Sequence, residues 1–277
     1  MFFGRSKQLK VNRKITNNFY KRTNLEVGKD IMRYLIFSDI HSNLEALNAV
    51  LSTVASYQIE KYVFLGDIVG YAANPNEVID LLRTLKPLVA IRGNHDKVVA
   101  GIESGDNFNV SAQMAVSWAR QQITADNRTF LTKLQRGPII VDECFQIVHG
   151  HPEDEDFYIF SEWDAMEVLD NSKQWITFFG HTHFPIIYIQ NYSNLSEEYP
   201  DVDSYCCSLS REKKYLINPG SVGQPRDSNP KASFAIFDSD ADTIEIKRIE
   251  YDIKSAQEKI HKAELPEYLA SRLSVGR

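Results

Sequence analysis

From Met32 onward, short apolar runs alternate with stretches of helical periodicity. Arg33–Ser38 is apolar and β-rich and runs into Asp39. Behind it, Leu44, Leu47, Val50, Leu51 and Val54 recur at helical spacing and predict a helix over Asn43–Tyr57. Tyr62–Leu65 predicts a second strand ending at Gly66-Asp67, and Asn76–Leu85 a second helix with Pro75 suited to its start. Leu88–Ile91 predicts a third strand, ending at Gly93-Asn94-His95. Alternation of this kind implies parallel strands with right-handed crossovers, hence an α/β fold.

Residues 96–136 read as helical and partly peripheral, best over Val110–Thr124 and Asn127–Gln135, with Trp118 packing inward. Strands are expected again at Ile139–Val141, Phe145–Val148, Ile176–Phe179, Ile186–Gln190 and Tyr215–Ile217. Ser233–Asp238 and Thr243–Tyr251 alternate as antiparallel strands that would close a second sheet. Ser255–Ala263 and Pro266–Leu273 read as surface helices. The stretch 191–214 is polar, contains Pro200 and has no period, so it reads as an inserted loop or hairpin extension within a domain spanning 32–277.

At 277 residues and 43% hydrophobic, the chain can bury a full core. No apolar run approaches the roughly 18 residues that cross a bilayer. Basic residues from Arg5 onward interrupt any signal-peptide core. Three cysteines, an odd number without zinc-finger spacing, point to a reducing cytoplasm. Residues 1–31 carry eight Lys/Arg against Glu26 and Asp30, which leaves −12 on the remainder of a chain of net charge −6. That acidic body argues against a stable nucleic-acid complex. The basic extension over 1–31 reads as an unstructured leader, or as residues before a true start at Met32; its charge would also suit RNA or anionic lipid.

The chemistry lies at the strand ends. Asp39-Ile40-His41, Gly66-Asp67, Gly93-Asn94-His95, His149-Gly150 and Gly180-His181-Thr182-His183 each follow an apolar run. They supply carboxylate, amide oxygen and imidazole, the mix that a pair of divalent ions takes. Adjacent strands lie about 4.8 Å apart, so their ends can converge on two ions roughly 3.5–4 Å apart. An Asp on a central strand is best placed to bridge such ions, which singles out Asp67. The neighbouring glycines Gly66, Gly93, Gly150 and Gly180 allow close approach of the backbone. A lone Asp-x-His or Gly-Asp is common by chance; Gly-Asn-His-Asp and Gly-His-Thr-His are rarer, and five motifs in order say more than any one.

On these motifs the chain resembles the calcineurin-like metallophosphoesterase superfamily over about residues 32–252. It is most similar to the compact bacterial and archaeal branch, whose chains also carry a segment like Asn218-Pro219-Gly220-Ser221-Val222-Gly223-Gln224-Pro225-Arg226. The resemblance implies a four-layer α/β/β/α sandwich of two mixed sheets. It implies one metal held by Asp39, His41, Asp67 and His183, and a second held by Asp67, Asn94, His149 and His181. Two divalent ions, manganese first and Fe, Zn, Ni or Mg as alternatives, would make a bridging hydroxide available near neutral pH to attack a small phosphoester. His95 would stabilise the transition state or protonate the leaving oxygen, or else act as a supporting hydrogen-bonder.

The match is incomplete. The protein-phosphatase branch reads Gly-Asp-x-x-Asp-Arg-Gly at the second motif, and Gly70 and Tyr71 stand where the Asp and Arg would be. Asp96, directly after His95, is not expected to substitute. His151 is read as rim and the acidic run Glu153–Asp156 as a solvated loop. Asn43 is either a phosphate contact or the N-cap of the first helix, and Arg226 either a phosphate contact or a surface ion pair. Two competing readings remain. One is a catalytically silent scaffold, as a retromer subunit of this superfamily is, against which His95 counts. The other is a dinucleoside polyphosphate hydrolase, which needs a cationic patch that the sequence offers only at Arg92, Arg226 and Lys231. Oligomeric state is left open.

Overall fold

Both faces of strand β1 (Arg33–Phe37) are buried, and that decides the layering. Tyr34 and Ile36 enter a core shared with Val63, Ile147, Phe178, Ile217 and Phe237. Leu35 and Phe37 pack on the other side with Leu47, Val50, Val78 and Ile79. Successive side chains on a strand alternate faces, so a strand covered on both sides reads as an unbroken apolar run. The computed structural model describes residues 32–277; the extension read over 1–31 lies outside the described residues.

After β1 come α1 (Leu44–Val54), β2 (Lys61–Phe64), α2 (Pro75–Thr84) and β3 (Leu88–Ala90). β1, β2 and β3 pair in parallel, as the alternation predicts. Asn43 caps α1 and Pro75 opens α2. Next are α3 (Asn94–Ala100), α4 (Val110–Gln122) and α5 (Ala125–Lys133). β4 (Ile139–Val141), β5 (Phe145–Ile147), α6 (Glu162–Asn171), β6 (Ile176–Phe178), β7 (Pro185–Asn191) and β8 (Asn194–Glu198) follow. β9 (Ser204–Ser208), β10 (Lys214–Pro219), β11 (Ala232–Asp238) and β12 (Thr243–Ile249) complete the strands, before α7 (Ile253–Lys262) and α8 (Glu267–Ser271).

The first sheet runs β3-β2-β1-β11-β12-β9 and the second β4-β5-β6-β10-β7-β8. Helices α1 and α2 cover the outer face of the first sheet. Ala165, Val168 and Leu169 of α6 cover the second, against Phe179, Ile186 and Leu216. The result is a four-layer α/β/β/α sandwich of two mixed sheets. Among the described residues no helix is long and apolar enough to cross a membrane.

The fold corrects one sequence expectation, divides another and adds a helix the pattern does not show. Ser233–Asp238 and Thr243–Tyr251 do not close a second sheet: β11 pairs antiparallel with β1 and β12 with β11, so both extend the first. β11 is buried on both faces, which places it centrally. Of the two readings of the polar stretch 191–214, the hairpin extension holds for β8, which pairs with β7, while β9 crosses to pair with β12 of the first sheet. Helix α6 lies where the sequence pattern predicts none. Its signal is a capping box, Ser161 with Asp164, rather than a broad apolar stripe.

Phe237 is fully buried at the centre of the inter-sheet core, its ring 5.7 Å from Phe145 and 5.9 Å from both Tyr34 and Phe178. We expect Phe237→Ala to cost about 3–5 kcal/mol in urea denaturation. A loss below about 1 kcal/mol would show that the sheets do not depend on this contact.

Candidate metal centre

Five of the seven side chains expected to bind metal, those of Asp39, His41, Asp67, His181 and His183, stand on residues with left-handed backbone, at φ of 47–66°. L-residues rarely adopt that region, and each instance costs on the order of 1–3 kcal/mol. The strain is held by backbone bonds between the strand ends: Asp39 N–H donates to the Gly66 carbonyl, His41 N–H to that of Asp67, and Gly223 N–H to that of Asp39. Asn218 donates to the Gly180 carbonyl and to Thr182 Oγ1, and Ser221 Oγ to the Asp39 carbonyl. The Asn218–Arg226 segment therefore ties the first motif to the last.

All seven predicted ligands meet in one place, and all are buried. Donor atoms of Asp39, His41 and His183 lie within 4.8 Å of one another, as do those of Asp67, His149 and His181. Asp67 Oδ2 faces both groups, 3.6 Å from His41 Nε2 and 3.5 Å from His149 Nε2. Asn94, the first residue of α3, sets its Oδ1 3.3 Å from His149 Nε2. His95 also comes close: it shares a third such group with His41 and Asp67, and its backbone N–H donates to Asp67 Oδ1.

The imidazoles are oriented by main-chain oxygens. His41 Nδ1 lies 3.1 Å from the Val69 carbonyl, His149 Nδ1 2.9 Å from that of Leu65, and His183 Nδ1 against that of Gln224. A carbonyl can only accept, so each Nδ1 carries a hydrogen and Nε2 is directed inward. His181 is reversed; its Nε2 donates to the Asp156 carbonyl at 3.0 Å, which leaves Nδ1 for the site. Backing of this kind fixes the tautomer of a metal-ligating histidine.

Cation binding follows from what these bonds leave over. Burial first, and then neighbouring positive charge, holds His183 well below the usual imidazole range; burial also outweighs the pull of Asp67 on His41. Both rings are therefore neutral, with their hydrogens on Nδ1. Their Nε2 atoms nevertheless lie 3.1 Å apart, lone pair against lone pair. Asp39 Oδ1, 3.3 Å from His183 Nε2, has no hydrogen-bond partner. Converging buried acceptors without donors are stable around a cation. In the other group, burial opposes the charged form of His149, but the Asp67 carboxylate outweighs it and lifts the ring to about 10. A divalent ion competes there with a proton.

Residues beyond the motifs complete the centre. Asp96 does not orient His95; its carboxylate accepts from the backbone N–H groups of Asp67, Ile68, Val69 and Gly93. Burial, and then the Asp67 charge, push that carboxyl up to about 7 against the downward pull of the backbone N–H donors. A Cβ on Gly70 would run into His95 Nδ1, so the missing Asp of the second motif is a steric requirement of this His95 position. Tyr71 and Phe108 pack on the His95 ring at 4.5 and 4.7 Å. The acidic run is not simply a solvated loop: Glu155 is buried against Arg92 and Lys97, and Lys97 also holds Asp156, whose carbonyl orients His181. His151 is half-buried and belongs to none of the three donor groups. Asn43 is fully buried with both amide atoms used, by Ala46 N–H and the Gly223 carbonyl, so it acts as the N-cap and is not offered to substrate. Arg226 makes no surface ion pair; it is half-buried and donates to Gln224 Oε1.

Residues 32–242 match the Calcineurin-like phosphoesterase superfamily domain. The chain belongs to this superfamily. It is 44% identical over 247 residues to the uncharacterized protein MJ0912 of Methanocaldococcus jannaschii, covering 87% of this chain and 97% of that one. It is 25% identical to phosphodiesterase YfcE of Escherichia coli, over 76% of this chain and 89% of the relative. The crystal structure of a metallophosphoesterase from Sphaerobacter thermophilus superposes with a TM-score of 0.80 at 38% identity, covering 90% of this chain and all of that one. The family match together with the phosphodiesterase and metallophosphoesterase relatives marks the protein as a phosphoester hydrolase, and the two mixed sheets are those of its family.

Because Asp96 alone satisfies four backbone donors, Asp96→Asn should cost about 2–3 kcal/mol in urea denaturation. Unchanged stability would mean the loop carrying Asp67 is held by other contacts.

Proposed function

We propose that this chain hydrolyses phosphodiesters or small phosphomonoesters with two divalent ions. One is held by Asp39, His41, Asp67 and His183, the other by Asp67, Asn94, His149 and His181. The observation that carries this reading is the single Asp67 oxygen facing both histidine groups. When bound, such ions supply a water acidic enough to attack near neutral pH and draw charge from the phosphoryl oxygens. Manganese suits the mixed nitrogen and oxygen donors. The name of the YfcE relative favours a diester. The three free thiols, Cys144, Cys206 and Cys207, accord with a reducing cytoplasm.

The chain's own residues then supply position and protons. A cleft of about 400 Å³ opens on the centre, lined by Tyr71, Asn94, His95, Phe108, Tyr158 and His181. His95 Nδ1 is buried without a partner. Burial, followed by an opposing pull from Asp67, leaves His95 at about 4, so the ring is neutral in the free protein. An anionic phosphoryl group beside it favours the protonated ring, which can then donate to the departing oxygen. A scaffold role gains nothing from a buried, unsatisfied imidazole at the cleft floor.

Metal-stripped protein restored with Mn²⁺ should turn over bis-p-nitrophenyl phosphate and carry two ions per chain by elemental analysis. Asp67→Ala should lose both ions together. His95→Ala should keep both ions and lose about 10²–10⁴ in kcat. Turnover persisting in EDTA, or a His95→Ala protein that sheds metal, would overturn these two ligand sets.

A further inference from the structure

The C-terminal elements bring a second arginine to the site. Leu269, Ala270 and Leu273 pack with Tyr71 and Ala72 and with Ala112 and Ala115 of α4. Arg272, the residue after α8, thereby lies over the Tyr71 ring, its Cζ 5.8 Å from the centroid. Arg226 reaches the same ring from the Asn218–Arg226 segment, at 5.6 Å, with Nη2 3.4 Å from the Tyr71 hydroxyl. The ring itself touches the metal-ligand cluster, 4.6 Å from His41 and 4.5 Å from His95.

Five other arginines, Arg33, Arg83, Arg92, Arg211 and Arg248, each hold a side-chain carboxylate. Among the described residues Arg226 and Arg272, like Arg120, Arg128, Arg136 and Arg277, have no Asp or Glu carboxylate within ion-pair distance; of these six, Arg226 and Arg272 are the two that lie over the Tyr71 ring. Arg226 donates to Gln224 Oε1, while Arg272 donates through Nε to an oxygen of Arg277, the last residue of the sequence, and also lies over the Tyr268 ring at 5.0 Å, which leaves its Nη atoms for a further anion. Both remain partly open to solvent. Burial, then the charge of Arg226, holds the Arg272 guanidinium below its usual range, so the two cations work against each other. Like charges kept together in a half-buried place are relieved by an anion, and guanidinium forks match phosphate oxygens two at a time.

We propose that Arg226 and Arg272, sharing the Tyr71 ring, form a subsite for a second phosphate carried by the substrate beside the scissile one. The proposal rests on the hydrolytic reading above and narrows it to phosphodiesters with a further phosphate on one arm. It also answers the absence of a cationic patch in the sequence: the second cation comes from the end of the chain, 46 residues beyond Arg226.

Calorimetry on the Mn²⁺-loaded protein, with thymidine 3′,5′-bisphosphate and thymidine 5′-monophosphate as probes, needs no turnover. Wild type should bind the bisphosphate about tenfold or more tightly than the monophosphate. Arg272→Gln should bind both alike, and Arg272→Lys, which keeps the charge, should retain part of the preference. Equal affinity in wild type, or a preference undiminished in Arg272→Gln, would overturn the subsite. Hydrolysis of bis-p-nitrophenyl phosphate separates the two claims. A bisphosphate preference in a protein without turnover would leave the arginine pair standing and remove the hydrolytic assignment.

Discussion

One half of the centre, that of Asp39, His41 and His183, answers to one electrostatic constraint: buried acceptors directed at each other with no donor between them. His41 and His183 are each locked by a main-chain carbonyl into the tautomer that turns Nε2 inward, and those nitrogens then meet at 3.1 Å. Asp39 Oδ1 joins them unpartnered. Left to itself such a set is repulsive and desolvated, and a polar group buried without a partner costs on the order of 1–3 kcal/mol. The fold meets this cost, together with left-handed backbone at five ligand positions, through two six-stranded sheets whose shared core is apolar throughout. Stability made between the sheets is spent at their edge.

The same constraint explains why the site residues are legible in the sequence while much of their support is not. Ligands must be Asp, Asn or His, and they must stand where strands end, so composition and periodicity suffice to find them. Asp96 escapes such a reading because adjacent side chains diverge, and it does turn away from His95, to four backbone N–H groups. The pattern that marks it is an acidic residue three positions after the helix cap at Gly93. Glu155 and Asp156 look like any charged loop until Arg92 and Lys97 are folded against them, and those partners lie some sixty positions earlier.

The strands show a similar division. Parallel β1, β2 and β3 follow from local signals, since each crossover helix has its own period. The assignment of β11 and β12 to the first sheet does not, because an apolar strand states that it is buried but not which neighbour it pairs with. Here β11 pairs with β1, some two hundred residues away, and splits the chain's last third between the sheets. Gly70 and Tyr71 belong with these non-local facts. As sequence they are departures from a motif; in the fold, Gly70 makes room for His95 and Tyr71 stacks on it.

Charge must be read at the same scale. The chain outside the first 31 residues carries −12, which argues against a broad phosphate-binding surface. That sum does not describe the cleft. Fields at a phosphoryl group are set mainly by charges within about a Debye length of 8–10 Å, and those of nearby charges are strengthened where walls exclude water. Within contact of Tyr71 stand two guanidinium groups and two imidazoles. Asp39 and Asp67, which face the same histidines, would be neutralised by divalent ions under the ligand sets proposed above. An acidic exterior disfavours long polyanions, which must lie along the surface, whereas the two guanidinium groups beside Tyr71 would, on the subsite proposed above, favour a short anion entering end-on.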